Sequence, residues 1–247
     1  MGFTQTMLER YAQEIRVATE HPFLTAAGRR ELDRDTLSAW LTQDRVYALC
    51  GYPKFIASLI SALPLSTSSA QRRSQSLLGL FSFALSNIDR EVAFFDALGP
   101  KYALDLDFPP SAAANDPSVG KLQGARINPT TRAYVNLLIA TGAEAGRNGG
   151  LEEALVLLWG MEKIYLLAWN HAKAQRPMPG VDRNSPLSQA LDELITNWTM
   201  DEFVGFVERI EREVEALNLE EGTEAWERCE EMFKYNLLLE QRFWPNI

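Results

Sequence analysis

LEEALVLLWGMEKIYLLAW, residues 151–169, is a helical pattern with an acid set into its apolar face. It holds no proline, and its only glycine is Gly160. Leu155, Leu158, Trp159, Tyr165, Leu166 and Trp169 recur at the spacing that lines up one face of an α-helix. The position on that face between Trp159 and Tyr165 is Glu162. A carboxylate in an apolar stripe must be paired, hydrogen-bonded or held neutral by a raised pKa, because bare burial of a charge is costly. Taken alone, Glu162 can equally be read as a helix acid that swings to solvent.

Two other helical patterns repeat the anomaly. Leu37, Trp40, Leu41, Tyr47 and Ala48 form a stripe whose slot between Leu41 and Tyr47 is Asp44. Phe233, Asn236, Leu237, Phe243 and Trp244 form another, with Glu240 between Leu237 and Phe243. Leu77, Leu78, Phe81, Leu85, Ile88, Val92 and Phe95 make a fourth stripe over 71–98; Glu91 only borders it and ranks below the others. Three stripe acids on three helices converge if the helices surround one centre.

The remaining chain supplies more helices and their breaks. Residues 4–19 predict a first helix with Leu8, Tyr11, Ile15 and Ala18 on one face. His21-Pro22-Phe23 ends it, since the residue before a proline is biased away from helix, and a loop reaches Gly28. Asp35 or Thr36 suits the next N-cap. Leu63-Pro64 and 66–70 read as a turn, Gly99-Pro100 as a helix stop, and 104–128 as a long loop. Asn128-Pro129 opens a helix over 129–141, and 142–150 breaks it. After a break at 176–180, Ser185-Pro186 opens a helix over 187–195, and 201–217 follows. Thr223 starts the last helix. No strand-type alternation, internal repeat or domain linker is visible. The expectation is an all-α bundle forming a single domain over 1–247.

Composition narrows the function. At 247 residues and 46% hydrophobic, the chain can bury a sizeable core. A net charge of −9 and no run of Lys and Arg beyond Arg72-Arg73 argue against nucleic acid as a partner. Two cysteines, Cys50 and Cys229, form no disulfide framework and suit a reducing, cytoplasmic compartment. No apolar run is long enough to span a membrane, and no signal peptide is visible. Met1-Gly2 with Thr6 matches only the minimal myristoylation pattern.

A pocket holding three carboxylates among aromatics suits a metal, or a polar heteroaromatic ligand. Di-iron bundles place His three residues after Glu. Here Glu91, Glu162 and Glu240 are followed at that spacing by Phe94, Tyr165 and Phe243. That argues against a metal, and no cofactor is expected. Of the two histidines, His21 reads better as a cap on its turn than as a haem ligand, and His171 completes no site. A carboxylate can instead accept two hydrogen bonds from the amino group and protonated ring nitrogen of an aminopyrimidine. Tyr47 and Tyr134 can stack on such a ring, and a second carboxyl of raised pKa is a candidate acid or base.

At these residues the chain resembles the TenA (thiaminase II-like) family. The resemblance lies in His21-Pro-Phe23, in the 40–47 run WLTQDRVY, in the 128–134 run NPTTRAY, in the 198–203 run WTMDEF and in the 239–244 run LEQRFW. It implies the haem-oxygenase-like fold. It also implies that Asp44 binds the pyrimidine, that Tyr47 and Tyr134 contact the ring, and that Glu240 is the C-terminal catalytic glutamate. The family's common form has a Pro-Cys pair where this chain has Trp159-Gly160, so its nucleophilic cysteine is missing. A second branch, known from plants and fungi, has a Trp-x-x-Glu-x-x-Tyr pattern that Trp159, Glu162 and Tyr165 match. On that resemblance Trp159 and Tyr165 join the substrate-binding residues, and Glu162 joins Glu240 in catalysis. The implied activity is salvage of the thiamin pyrimidine by hydrolytic removal of an amino or formylamino group, in a homodimer or homotetramer. The alternative is a pyrimidine-binding protein of the same fold without turnover, and Cys50, near Tyr47 on its helix, is a conceivable substitute nucleophile.

Overall fold

A computed structural model describes residues 2–64, 72–106, 127–147 and 149–247. Among these there are eleven helices and no strand: α1 (Phe3–Arg10), α2 (Ala12–Thr19), α3 (Pro22–Arg29), α4 (Arg34–Cys50), α5 (Tyr52–Ala62), α6 (Arg72–Tyr102), α7 (Pro129–Glu144), α8 (Gly150–Ala174), α9 (Pro186–Asn197), α10 (Asp201–Glu215) and α11 (Glu224–Phe243). The turn expected at 66–70, most of the loop expected at 104–128, and Met1 of the myristoylation pattern lie outside the described residues.

The stretch at 151–169 is the axis of the bundle. α8 extends past both of its expected ends, and α2, α3, α7, α9, α10 and α11 pack around it. From Ala154 to Met161 every residue is buried. The one-faced stripe expected of an amphipathic helix is therefore exceeded: the middle of α8 is apolar all round, as a helix enclosed by others must be.

Several local expectations change. The first helix is two, because the chain turns at Tyr11 before α2. The loop expected before Gly28 is α3. Pro22 needs no N–H in a first turn, and His21 Nδ1 accepts from the Phe23 N–H at 3.2 Å. α4 is capped by Asp33, not by Asp35 or Thr36; its carboxylate accepts from Thr36 N at 2.8 Å and Thr36 Oγ1 at 2.7 Å. α5 follows α4 after the single residue Gly51. α6 continues through Gly99-Pro100 to Tyr102, since a proline so near the end removes only one ladder bond and Leu104 N closes on Gly99 O at 2.9 Å. Asn128, Ser185 and Thr223 cap α7, α9 and α11 as expected.

An indole cluster ties these helices together beneath the site. Trp169 of α8 lies 4.5 Å from Trp198, centroid to centroid, and Trp40 of α4 lies 5.4 Å from Trp244. Phe23 of α3 and Tyr165 of α8 both stack on Trp244. Trp244 Nε1 donates to Ala18 O at 2.8 Å, fixing the end of α11 against α2. Rings of this size each bury about 150–250 Å² and are rigid, so the side chains resting on them are held in place. No described helix is long and apolar enough to cross a membrane.

Candidate functional site

A cleft opens between α4, α5, α6, α7, α8, α10 and α11. Four carboxyl groups line it: Asp44 from α4, Glu91 from α6, Glu162 from α8 and Glu240 from α11. No Lys, Arg or His is among the described lining residues. The floor and walls are aromatic, with Tyr47, Tyr52, Tyr134, Tyr165, Trp198 and Phe243.

Each acid has one aromatic hydrogen-bond partner. Tyr165 Oη donates to Asp44 Oδ2 at 3.0 Å, one turn along α8 from Glu162. Tyr52 Oη donates to Glu162 Oε1 at 2.5 Å. Tyr134 Oη lies 2.5 Å from Glu240 Oε1. Trp198 Nε1 donates to Glu91 Oε1 at 2.6 Å. One neutral donor per carboxyl does not replace the hydration lost on burial, so all four acids are held above the ordinary carboxylate range. Burial pushes Glu240 up to about 8 against the opposing bond from Tyr134. Burial does the same for Glu162, to about 8, opposed by Tyr52 and reinforced by Glu91 and Glu240. Asp44, only 5% exposed, is raised well above its usual value by burial and then by Glu91, with Tyr165 opposing. Glu91 is raised by burial, with Trp198 and the neighbouring Arg90 opposing.

The same burial keeps the phenols of Tyr47, Tyr52, Tyr134 and Tyr165 protonated, so they act as donors. Tyr47 packs edge-on against Tyr134 at 5.2 Å and Tyr52 at 6.1 Å, and its hydroxyl donates to Met161 Sδ at 3.2 Å. The arrangement can do two things: accept several hydrogen bonds from a flat, electron-poor ligand, and offer carboxyls of which some are neutral and some charged near pH 8.

Of the residues singled out in the sequence, Asp44, Tyr47, Tyr134, Glu162, Tyr165 and Glu240 all stand on this cleft. Trp159 does not, and the set is corrected there. Its ring is fully buried and stacks on Phe233 at 5.2 Å, and its Nε1 reaches Glu211 Oε2 at 3.3 Å on the far side of α8. Cys50 and Cys229 are also absent from the lining. Burial pushes the Cys229 thiol up to about 12 and raises that of Cys50, the reverse of an activated nucleophile. Among the described residues no three His, Cys, Asp or Glu side chains stand close enough to share one ion. His21 caps its turn, and His171 Nε2 pairs with Thr25 Oγ1 at 2.9 Å.

Periodicity ranks Glu91 too low and does not mark Tyr52 or Trp198 as parts of this site; Asn236 stands behind the lining, its Oδ1 2.5 Å from Tyr134 Oη. Glu91 falls three residues after Ile88 and four before Phe95, which is stripe spacing; that signal was present. Tyr52 carried none, since it opens a helix hidden behind Gly51.

No family model matches the chain. It is 22% identical over 188 residues to a "Probable transcription factor" of Fusarium pseudograminearum (strain CS3096); the match covers 74% of this chain and 34% of that protein, so the chain spans about a third of the relative's length. Among solved structures it is similar to a TenA homologue from Pyrococcus furiosus, with a TM-score of 0.74, 21% identity and 98% of each chain covered. It is also similar to a TenA homologue from P. horikoshii OT3, with a TM-score of 0.71, 17% identity and coverage of 99% and 97%. A TenA-like protein of Sulfolobus solfataricus P2 that carries the name thiaminase follows at 0.65, 14%, 99% and 94%. At these identities the likeness establishes the fold alone: all-α as the periodicity predicts, and of the haem-oxygenase-like type that the resemblance implies.

Proposed function

We propose that the chain is a TenA-type hydrolase of thiamin-pyrimidine salvage, of the branch that works without a cysteine nucleophile. It removes the amino or formylamino group from aminomethylpyrimidines left by thiamin breakdown. The observation that carries the reading is the cleft's chemistry: four carboxyls, each with one aromatic hydrogen-bond partner, and no basic side chain among the described lining residues. Such a cleft is complementary to a ligand that brings N–H donors and positive charge. A protonated aminopyrimidine with an aminomethyl arm is one.

In this reading Asp44, oriented by Tyr165, accepts from the ring amino group and the protonated ring nitrogen. Tyr47 and Tyr134 flank the ring. Glu162 and Glu240 divide the proton work. A water attacks the methylene carbon and gives its proton to the carboxylate of one glutamate. The carbon–nitrogen bond breaks, and the departing nitrogen takes the proton of the other. From the aminomethyl substrate the products are the hydroxymethylpyrimidine and ammonia, from the formylamino substrate the hydroxymethylpyrimidine and formamide, and no metal or cofactor is needed. The unit is residues 1–247 as one domain, acting in the cytoplasm on a small molecule as a homodimer or homotetramer.

The name transcription factor belongs to a relative of which this chain covers 34%, and a chain of net charge −9 is poorly suited to DNA. Purified protein incubated with the aminomethylpyrimidine should release ammonia in step with the hydroxymethyl product. Saturable binding of the pyrimidine with no ammonia would leave the non-catalytic binding protein as the function, and no binding at all would end the pyrimidine reading.

A further inference from the structure

The Tyr134 hydroxyl stands 2.5 Å from two oxygens at once, Glu240 Oε1 and Asn236 Oδ1. A phenol has one proton to donate, so it can fill only one of these contacts. The other contact needs a proton from elsewhere. With Asn236 presenting its oxygen, that proton belongs to Glu240: the carboxylic acid donates to Tyr134 Oη, and Tyr134 donates to Asn236 Oδ1. In this orientation Asn236 Nδ2 is buried without a partner and faces Gly160.

Half a turn of the amide reverses the chain of donors. Nδ2 then donates to Tyr134 Oη, and Tyr134 donates to Glu240 as a carboxylate. The oxygen takes the place against Gly160. One amide orientation fits the neutral acid and the other fits the anion. Asn236 is wholly buried one turn before Glu240 on α11, so the three groups keep their spacing. Gly160 makes the room: a Cβ there would fall 2.7 Å from Nδ2. An aspartate at 236 could only accept, and a leucine could do neither.

We propose that Asn236 is a positioning residue whose amide turns over with the proton on Glu240, so that Tyr134 supports Glu240 both as acid and as carboxylate. This gives the glutamate a matched hydrogen-bond partner on both sides of a proton transfer. The inference takes its purpose from the acid–base role proposed for Glu240, but its test reads no turnover. Other groups that titrate on the same cleft are Asp44, Tyr47, Tyr52, Glu91, Glu162 and Tyr165. Their fields reach Asn236 without passing through Tyr134, so a variant at Tyr134 separates the two routes.

The test uses the full chain with ¹⁵N-labelled asparagine, the Asn236 amide pair being assigned by its loss in Asn236→Ser. Its resonances are followed from pH 5 to 10 beside the Glu240 carboxyl carbon. In the wild type the amide pair should shift with the same midpoint as that carboxyl. The shift should vanish in the isosteric Glu240→Gln, and also in Tyr134→Phe although Glu240 still titrates there. An amide pair that ignores pH in the wild type, or that keeps its titration in Glu240→Gln or Tyr134→Phe, overturns the proposal. If Tyr134→Phe does not fold, an amide pair that ignores pH in the wild type or keeps its titration in Glu240→Gln still overturns the proposal.

Discussion

Tyr52 Oη donates to Glu162 Oε1 at 2.5 Å and is that carboxyl's aromatic partner at the cleft wall. The bond favours the charged form of Glu162 against the burial that raises its pKa to about 8. Removing it takes away the opposing effect. In Tyr52→Phe the Glu162 titration should move upward, and the limb of the pH–rate profile that depends on ionised Glu162 should move with it. Carboxyl-carbon titration of the two proteins measures the shift; a midpoint unchanged or lowered in Tyr52→Phe contradicts the assignment.

Stability should fall as pH rises through the neutral range. Glu162 and Glu240 hold their protons in the folded state to about 8, whereas unfolded they ionise near 4.5. Between those values the folded state binds more protons than the unfolded one, so the stabilisation present below the unfolded pKa is lost as pH climbs to the folded pKa. Glu162→Gln and Glu240→Gln remove that dependence. Each should raise stability at pH 8 on the order of 1 kcal/mol or more, with little gain at pH 4.5. Thermal melts at the two pH values would show it, and equal effects at both would count against buried neutral acids.

Asp44→Asn should weaken pyrimidine binding, because an amide accepts at only one of the two positions the ligand edge requires. Loss of one partner from a buried charged contact costs on the order of 2–5 kcal/mol. Calorimetric titration with the pyrimidine would register this, and unchanged affinity would remove Asp44 from the ring edge.

Gly160→Cys restores a cysteine where the common TenA form carries one, and it should restore nothing. Its Cβ would fall 2.7 Å from Asn236 Nδ2 and 3.4 Å from the Phe233 ring. Overpacking of that kind costs about 1–3 kcal/mol. The variant should melt lower than wild type and cleave no thiamin. By the same logic Cys50→Ala and Cys229→Ala should keep full turnover, since neither thiol lines the cleft. Loss of turnover in a folded Cys50→Ala protein would reinstate a cysteine mechanism.

Much of this arrangement can be read from the sequence. Asp44, Glu162 and Glu240 betray themselves because periodicity marks where apolar residues should stand, and an acid in such a slot needs a reason. Trp159 shows the limit of that signal. Periodicity says that a side chain is buried, not on which side of an all-buried helix it lies, and Trp159 faces Phe233 while Glu162 faces the cleft. Tyr52 and α5 escaped because one glycine is enough to separate two helices. Asn236 reads as a stripe residue. Its role depends on the distance to Tyr134, which is 102 residues away in sequence and which only the fold brings near.

Glu162 and Glu240 are expected to act on one proton inventory in one cleft. The most direct measurement of this is kcat against pH for the wild type, Glu162→Gln, Glu240→Gln and the double variant, with the aminomethylpyrimidine as substrate. The wild type should give a bell-shaped profile, because the two carboxyls titrate as a coupled pair with one protonated and one ionised at the optimum. Each single variant should lose roughly 10²–10⁴ in kcat. The double variant should be little worse than the poorer single one, since the two act together. A Glu162→Gln enzyme with wild-type kcat and a wild-type profile would contradict the account and leave the chemistry to Glu240 alone.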